Sequence, residues 1–296
     1  MANQKEIRGR IASTISTQQI TKAMKLVSAT KLRRAGEGIM RMRPYAQKLQ
    51  GIMANLQDSV DDDRLVGYFK EREVKKVLIV AISSDRGLCG AFNANVVKRT
   101  RAIIDSKYAD AKKAGNVTIL VIGKKAGELL KKQGYKVDTT YVTLLQGLDS
   151  DSAFAAAEEI LNSYSTHQYD RIEIVFNQFK NAATQILKNE VWLPILREDL
   201  VKGKKGKSQN NDYLFEPGKI EILQDLIPRS LKTQFYRAML DSLASEHGAR
   251  MVAMDKATEN AGDLLKALRL AYNQARQAAI TNEISEIVGG AAALEG

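Results

Sequence analysis

The sequence predicts an α/β domain inserted between two long helices that pair with each other as an antiparallel coiled coil. Three observations carry this: an apolar heptad pattern towards each end of the chain, and alternating strand-like and helix-like segments between them. Among the 296 residues, 44% are hydrophobic and 27% charged, enough apolar material for a buried core. The longest apolar runs, such as 77–82 and 119–122, fall far short of the roughly 20 residues that cross a bilayer.

In the N-terminal segment, assigned to residues 1–60, Leu32, Ala35, Ile39, Met42, Ala46, Leu49, Met53 and Leu56 alternate steps of three and four. Upstream, Ile7, Ile11 and Ile15 are separated from Ile20, Met24 and Val27 by a step of five, so an imperfect seam is expected there. Pro44 lacks a backbone donor and is expected to bend the helix. An acidic turn at 61–63 follows.

Over residues 74–217 the periodicity changes. The β-branched runs 75–84, 117–123 and 171–179 read as strands, and 94–114, 124–132 and 152–163 read as helices between them. Such alternation predicts a mainly parallel, Rossmann-like sheet covered by helices, completed by a strand pair near 136–142 and 184–193. The stretch KGKKGKSQNND, 202–212, reads as a loop. The C-terminal segment, 219–296, contains no proline after Pro228. Its heptad runs through Leu240, Leu243, His247, Met251, Met254, Thr258, Ala261, Leu265, Leu268, Tyr272, Ala275 and Ala279. A single helix over 231–288 would be roughly 87 Å long at about 1.5 Å per residue, so its tip is expected to protrude beyond the shorter partner.

Net charge is +11, and residues 1–50 account for most of it, with eleven Lys and Arg against Glu6 and Glu37. Lys22, Lys25, KLRRA at 31–35, Arg41 and Arg43 make either a solvated face or a surface for an acidic protein. Scarce aromatics and the absence of a reading motif argue against a nucleic-acid partner. The single cysteine, Cys89, excludes an internal disulfide and reads as a small buried side chain. No secretory signal is recognisable at the start, so the chain is expected to stay in the compartment where it is made.

No active site emerges. Gly123-Lys124 follows a strand but lacks the upstream glycine and the hydroxyl of a phosphate-binding loop. SSDRGLCGAFN, 83–93, lies between a strand and a helix, where it is either an anion-holding turn or a tight connection; Gly87 and Gly90 do not have dinucleotide-binding spacing. His167 and His247 stand far apart, outside any zinc motif, and no nucleophile elbow is present. Neither catalytic residues, nor a cofactor, nor a metal are expected.

IRGRIASTISTQQITKAMKLVSATKLRRA (7–35) and YNQARQAAITNEISEIVGGA (272–291) closely resemble the gamma subunit of F-type ATP synthases. SSDRGLCGAFNANV, YLFEP (213–217) and SEHGARMVAMDKATENA (245–261) resemble that family in the same order. The resemblance implies a non-catalytic rotor whose coiled coil turns inside three alpha and three beta subunits as protons cross the membrane sector, and whose asymmetry changes the affinity of each catalytic subunit in turn. It implies contacts with beta subunits at Met24, Lys25, Arg276, Gln277 and Thr281, and with their acidic segments at Lys31, Arg33 and Arg34. Tyr213, Phe215 and Glu216 match the foot that meets the c-ring, where the epsilon subunit also docks. Gly248 stands where the family usually has alanine. The lone Cys89 excludes the thiol switch of plastid relatives, and with no transit peptide the expected location is peripheral, on the cytoplasmic face of a bacterial cell membrane.

Overall fold

A computed structural model describes residues 4–55, 66–69, 71–195 and 218–295. The expected turn at 61–63 and loop at 202–212 lie outside these residues, as do Leu56 and the side chain of Met53. The chain forms two compact units, one of residues 29–250 and one of residues 1–28 with 251–296.

The larger unit is built on a five-stranded sheet. Its strands are β1 (Val77–Ile82), β2 (Val117–Ile122), β3 (Val137–Asp138), β4 (Arg171–Phe179) and β5 (Gln185–Leu193), in the order β3-β2-β1-β4-β5. All neighbours run parallel except β4 and β5. β1 and β2 are apolar without alternation because both of their faces are covered. On one face Val77, Ile79, Ala81, Ile119 and Val121 pack under helices α3 (Phe92–Lys107), α4 (Ala109–Lys113) and α5 (Lys124–Lys132). On the other, Leu78, Val80, Ile82, Ile174 and Phe176 pack under α6 (Ser150–Ser165) and the first turns of α7 (Lys219–Glu295). A short helix, α2 (Val66–Phe69), and the long N-terminal helix α1 (Gln4–Asn55) complete the elements described.

The expectations for the central domain need correction at three points. The helix expected over 94–114 is two, α3 and α4. Tyr108 breaks it with φ −127° and turns its phenol into the core, donating to the buried Glu173 carboxylate at 2.5 Å. The strands near 136–142 and 184–193 do not pair with each other. The crossover through α6 carries the chain to the far side of β1, so β3 and β5 become opposite edges. β3 stops after two residues because the Asp138 carboxylate accepts the amide of Thr140 in a local turn.

α7 begins twelve residues before the apolar pattern alone indicated, passing through Pro228. Leu223, Ile227, Leu231 and Phe235 are each at most 1% exposed, and their burial holds the helix across the donor that proline lacks. Pro44 likewise lies within α1, which is not interrupted there. In this unit α1 packs on α7 through Leu32, Ala35, Ile39 and Met42 against Leu240, Leu243 and Ala244.

In the smaller unit, residues 4–28 of α1 run antiparallel to residues 251–295 of α7, with Gln4 near Tyr272, Gln18 near Thr258 and Lys25 near Asp255. The expected irregularity in the seam is absent. The inward positions are Ile7, Ile11, Thr14, Gln18, Thr21, Lys25 and Ser28, an unbroken sequence of fours and threes, whereas Ile20 and Val27 are each 57% exposed. On α7 the seam follows Met254, Thr258, Ala261, Leu265, Leu268, Tyr272 and Ala275, but Ala279 is exposed.

Gly123, at φ 93°, joins β2 to α5. A Cβ there would stand 2.6 Å from the Ser83 carbonyl carbon. Gly123→Ala is therefore expected to lower stability by about 3 kcal/mol or more, measured by urea unfolding. A change below about 1 kcal/mol would show that this strand-to-helix junction is looser than the geometry requires.

Candidate functional site

In a parallel α/β sheet the crevice for a ligand opens at the carboxyl ends of the strands, where the strand order reverses. Here that point lies between β1 and β4, and α7 fills it. Ser245 Oγ donates to the Asn177 carbonyl at the end of β4, at 2.9 Å. One guanidinium nitrogen of Arg250 donates to the carbonyls of Arg86 and Gly87 in the turn after β1, at 3.1 and 3.4 Å, and the other binds Glu246 at 2.7 Å. The turn thus faces the helix with carbonyl oxygens and takes a cation from its own chain.

Gly248 makes room for this seating. A Cβ on it would lie 3.1 Å from the Ala182 carbonyl oxygen and 3.2 Å from Ala182 Cα, backbone that has little freedom to yield. A helix-interior glycine costs about 1 kcal/mol relative to alanine, and here the close approach of the β4–β5 connection accounts for it.

The turn itself is a tight connection, the second of the two readings left open above. Ser84 Oγ bonds the Arg86 carbonyl, the Ser84 amide binds Asn93 Oδ1, and Leu88 and Gly90 adopt φ near +60°. Cys89 is buried beneath it, with Asn93 Nδ2 at 3.3 Å from its sulfur. The Lys124 amide is already bound by Asp85, leaving no phosphate cradle at that helix start. Among the described residues no group of His, Cys, Asp and Glu has metal-binding geometry.

The residues singled out from the sequence fall into separate places. In the smaller unit, Met24 is half-buried and Lys25 forms an ion pair with Asp255 at 2.5 Å, while Arg276, Gln277 and Thr281 are exposed. Thr281 Oγ1 donates to the Gln277 carbonyl, a bond within the helix. Asp255 and Arg276 are 21 residues apart on α7, roughly 30 Å at 1.5 Å per residue, so the two groups occupy different levels of the coiled coil. In the larger unit Lys31, Arg33 and Arg34 are exposed, and Arg33 approaches Glu37 at 4.0 Å. Tyr213, Phe215 and Glu216 lie outside the described residues.

A family model described as ATP synthase matches residues 3–294. ATP synthase gamma chains of Cytophaga hutchinsonii and Christiangramia forsetii are 54% and 52% identical, covering 99% and 100% of this chain and the same shares of their own. The chain belongs to the ATP synthase gamma chain family. Among solved structures, the rotor of the Euglena gracilis mitochondrial ATP synthase has the same fold, with a TM-score of 0.63 at 24% identity over 94% of this chain and 98% of that one. The central stalk and c-ring structure from Tetrahymena thermophila matches with a TM-score of 0.56 at 25% identity, over 80% of this chain and 99% of that one. As a gamma chain this is the non-catalytic subunit of the central stalk.

For this gamma chain, the sequence reading missed Arg250 and Glu246 as a structural pair. Their i, i+4 spacing is visible, but on a seam helix it is indistinguishable from a surface ion pair. His247 was placed on the seam, and it is buried there at 7% exposure. Burial, with the positive charges of Arg250 and Lys31 nearby, lowers its pKa from 6.5 to about 4. A base with a depressed folded pKa contributes stability that is complete above its unfolded pKa and is lost as pH falls through the folded value. Glu246 and Asp241, both raised chiefly by burial, act in the opposite sense and lose stabilisation as pH rises. His247→Gln is therefore expected to flatten the loss of stability between pH 6.5 and 4 by on the order of 2–3 kcal/mol, measured by denaturant unfolding across that range. An undiminished loss would mean that His247 is charged in the fold.

Proposed function

We propose that this chain couples transmembrane proton flow to ATP synthesis by turning within a ring of three alpha and three beta subunits. The observation that carries the reading is the end of α7. Every described side chain over 276–291 is exposed, and among them Ile280, Ile284, Ile287 and Val288 are 49–66% exposed. Apolar side chains recurring along a helix without cover mark a surface made for a partner. A surrounding ring of subunits supplies that cover while leaving the helix free to rotate, since apolar contacts carry no directional bonds.

In this reading Arg276, Gln277 and Thr281 meet beta subunits near the tip, and Met24 and Lys25 face beta subunits from the N-terminal helix, at a different level of the coiled coil. Lys31, Arg33 and Arg34 face acidic beta segments, with charges that attract yet can be exchanged at each step because each exposed pair is worth only about 0–1 kcal/mol. Residues 1–60 and 219–296 serve as the coiled-coil shaft and 74–217 as the central domain. Tyr213, Phe215 and Glu216 meet the c-ring beside the epsilon subunit. The chain is then peripheral to the cytoplasmic face of a bacterial membrane, which agrees with the absence, among the described residues, of any helix long and apolar enough to cross one.

The test is reconstitution with alpha and beta subunits. ATPase activity is expected to require this chain and to be lost when α7 is truncated before Tyr272. Reversing the charges of Lys31, Arg33 and Arg34 to Glu is expected to reduce proton-coupled synthesis by about tenfold while changing unfolding stability by less than about 1 kcal/mol, as befits exposed side chains. Unfolding of the triple variant, or ATPase indifferent to the presence of the chain, would contradict the proposal.

A further inference from the structure

The central domain carries a second basic surface, hidden by the concentration of net charge in residues 1–50. Residues 92–138 hold eleven Lys and Arg against four Asp and Glu, a net charge of +7. The excess vanishes in a regional count because the flanking stretches 51–91 and 139–228 are acidic. These 47 residues form α3, α4 and α5 with the strands between them. Val97 and Ile104 of α3, Ala111 of α4 and Leu130 of α5 all pack on one face of the sheet, so the opposite sides of the three helices make one outer layer.

Five of the basic side chains in this layer are engaged: Arg99 by Asn189, Lys107 by Glu173, Lys112 by Asp105, Lys113 by Asp110 and Lys125 by Glu128. Together with Thr140 on Asp138, the pairs of Lys112, Lys113 and Lys125 occupy every acidic residue of the segment. Lys98, Arg101, Lys124, Lys131, Lys132 and Lys136 are exposed, and their side chains have no ion-pair or hydrogen-bond partner among the described residues.

We propose that this layer is a docking face for an anionic lipid headgroup surface. Nine of its eleven basic residues are lysine, a hydrated point charge on a flexible stem rather than the planar fork that fixes a protein carboxylate. Leu129, 38% exposed, is the one large apolar side chain exposed among the described residues of the layer. The face therefore lies on a membrane by charge and does not insert, and it lacks the apolar centre of a protein interface. The choice also rests on the rotor reading. A fluid sheet of headgroups offers the same potential at every angle of rotation, so the face stays attracted to it as the rotor turns.

The test is flotation of the complex with alpha and beta subunits, which encloses the basic N-terminal helix, on vesicles of phosphatidylcholine alone or mixed with phosphatidylglycerol. The parent is expected to float with the mixed vesicles only, and less as salt is raised. Neutralising Lys98→Gln, Lys124→Gln, Lys131→Gln, Lys132→Gln and Lys136→Gln together is expected to weaken partitioning on the order of a hundredfold. Neutralising Lys75, Lys76 and Lys180 to Gln, elsewhere on the same domain, should leave it within about twofold. Equal flotation of parent and five-site variant would overturn the proposal. So would a five-site variant that no longer assembles with alpha and beta while, as a free chain, it binds mixed vesicles like the parent, because the face would then serve a protein. If the parent itself does not assemble, the rotor reading fails, and the difference between free parent and free variant on mixed vesicles still decides the lipid proposal.

Discussion

The seating of residues 245–250 of α7 on the carboxyl ends of β4 and β1 is the constraint on which the larger unit depends. In most parallel α/β sheets that position is kept open for a ligand. Here a helix that belongs to the same chain enters it, and the contacts are made to backbone: Ser245 on Asn177, and Arg250 on Arg86 and Gly87. The Asn177 carbonyl belongs to β4 and the Arg86 and Gly87 carbonyls to the turn that leaves β1, so the helix is fastened to the sheet and to that turn. The absence of a nucleotide motif and the occupation of the crevice are two aspects of one arrangement. The domain is a grip on a helix rather than a container.

The coiled coil of the smaller unit meets a different demand. Its inward positions on α1 are polar from Thr14 to Ser28, with a hydroxyl pair between Thr21 and Thr258 at 2.7 Å and the Lys25–Asp255 ion pair alongside. Polar seam residues stabilise less than leucine but fix register, because a slip leaves them unpaired. The apolar residues Ile20, Leu26 and Val27 instead face outward. Helix pairing here is set by matched polar partners, while apolar surface is kept for the outside.

These two arrangements explain what the sequence disclosed. Heptads and β-branched runs come from burial, so the long helices, the three central strands and α5 were legible. The seam near Gln18 and Thr21 was not, because counting only apolar residues selected Ile20 and Val27 and manufactured a step of five. The break at Tyr108 and the opposite placement of β3 and β5 depend on contacts distant in sequence, with Glu173 and through the α6 crossover, that no local pattern encodes. The residues proposed to face partners were singled out only through family motifs. Arg276 and Gln277, exposed on a bare helix, look like any exposed polar residues.

Arg250 is the fastening between α7 and the turn after β1. The most direct measurement is amide hydrogen exchange of the full chain and its Arg250→Met variant, comparing residues 84–93 with β1 and β2. Loss of about tenfold protection confined to the turn, with the strands unchanged, is the predicted result. Unchanged protection in the turn, or an equal loss throughout the sheet, would contradict it.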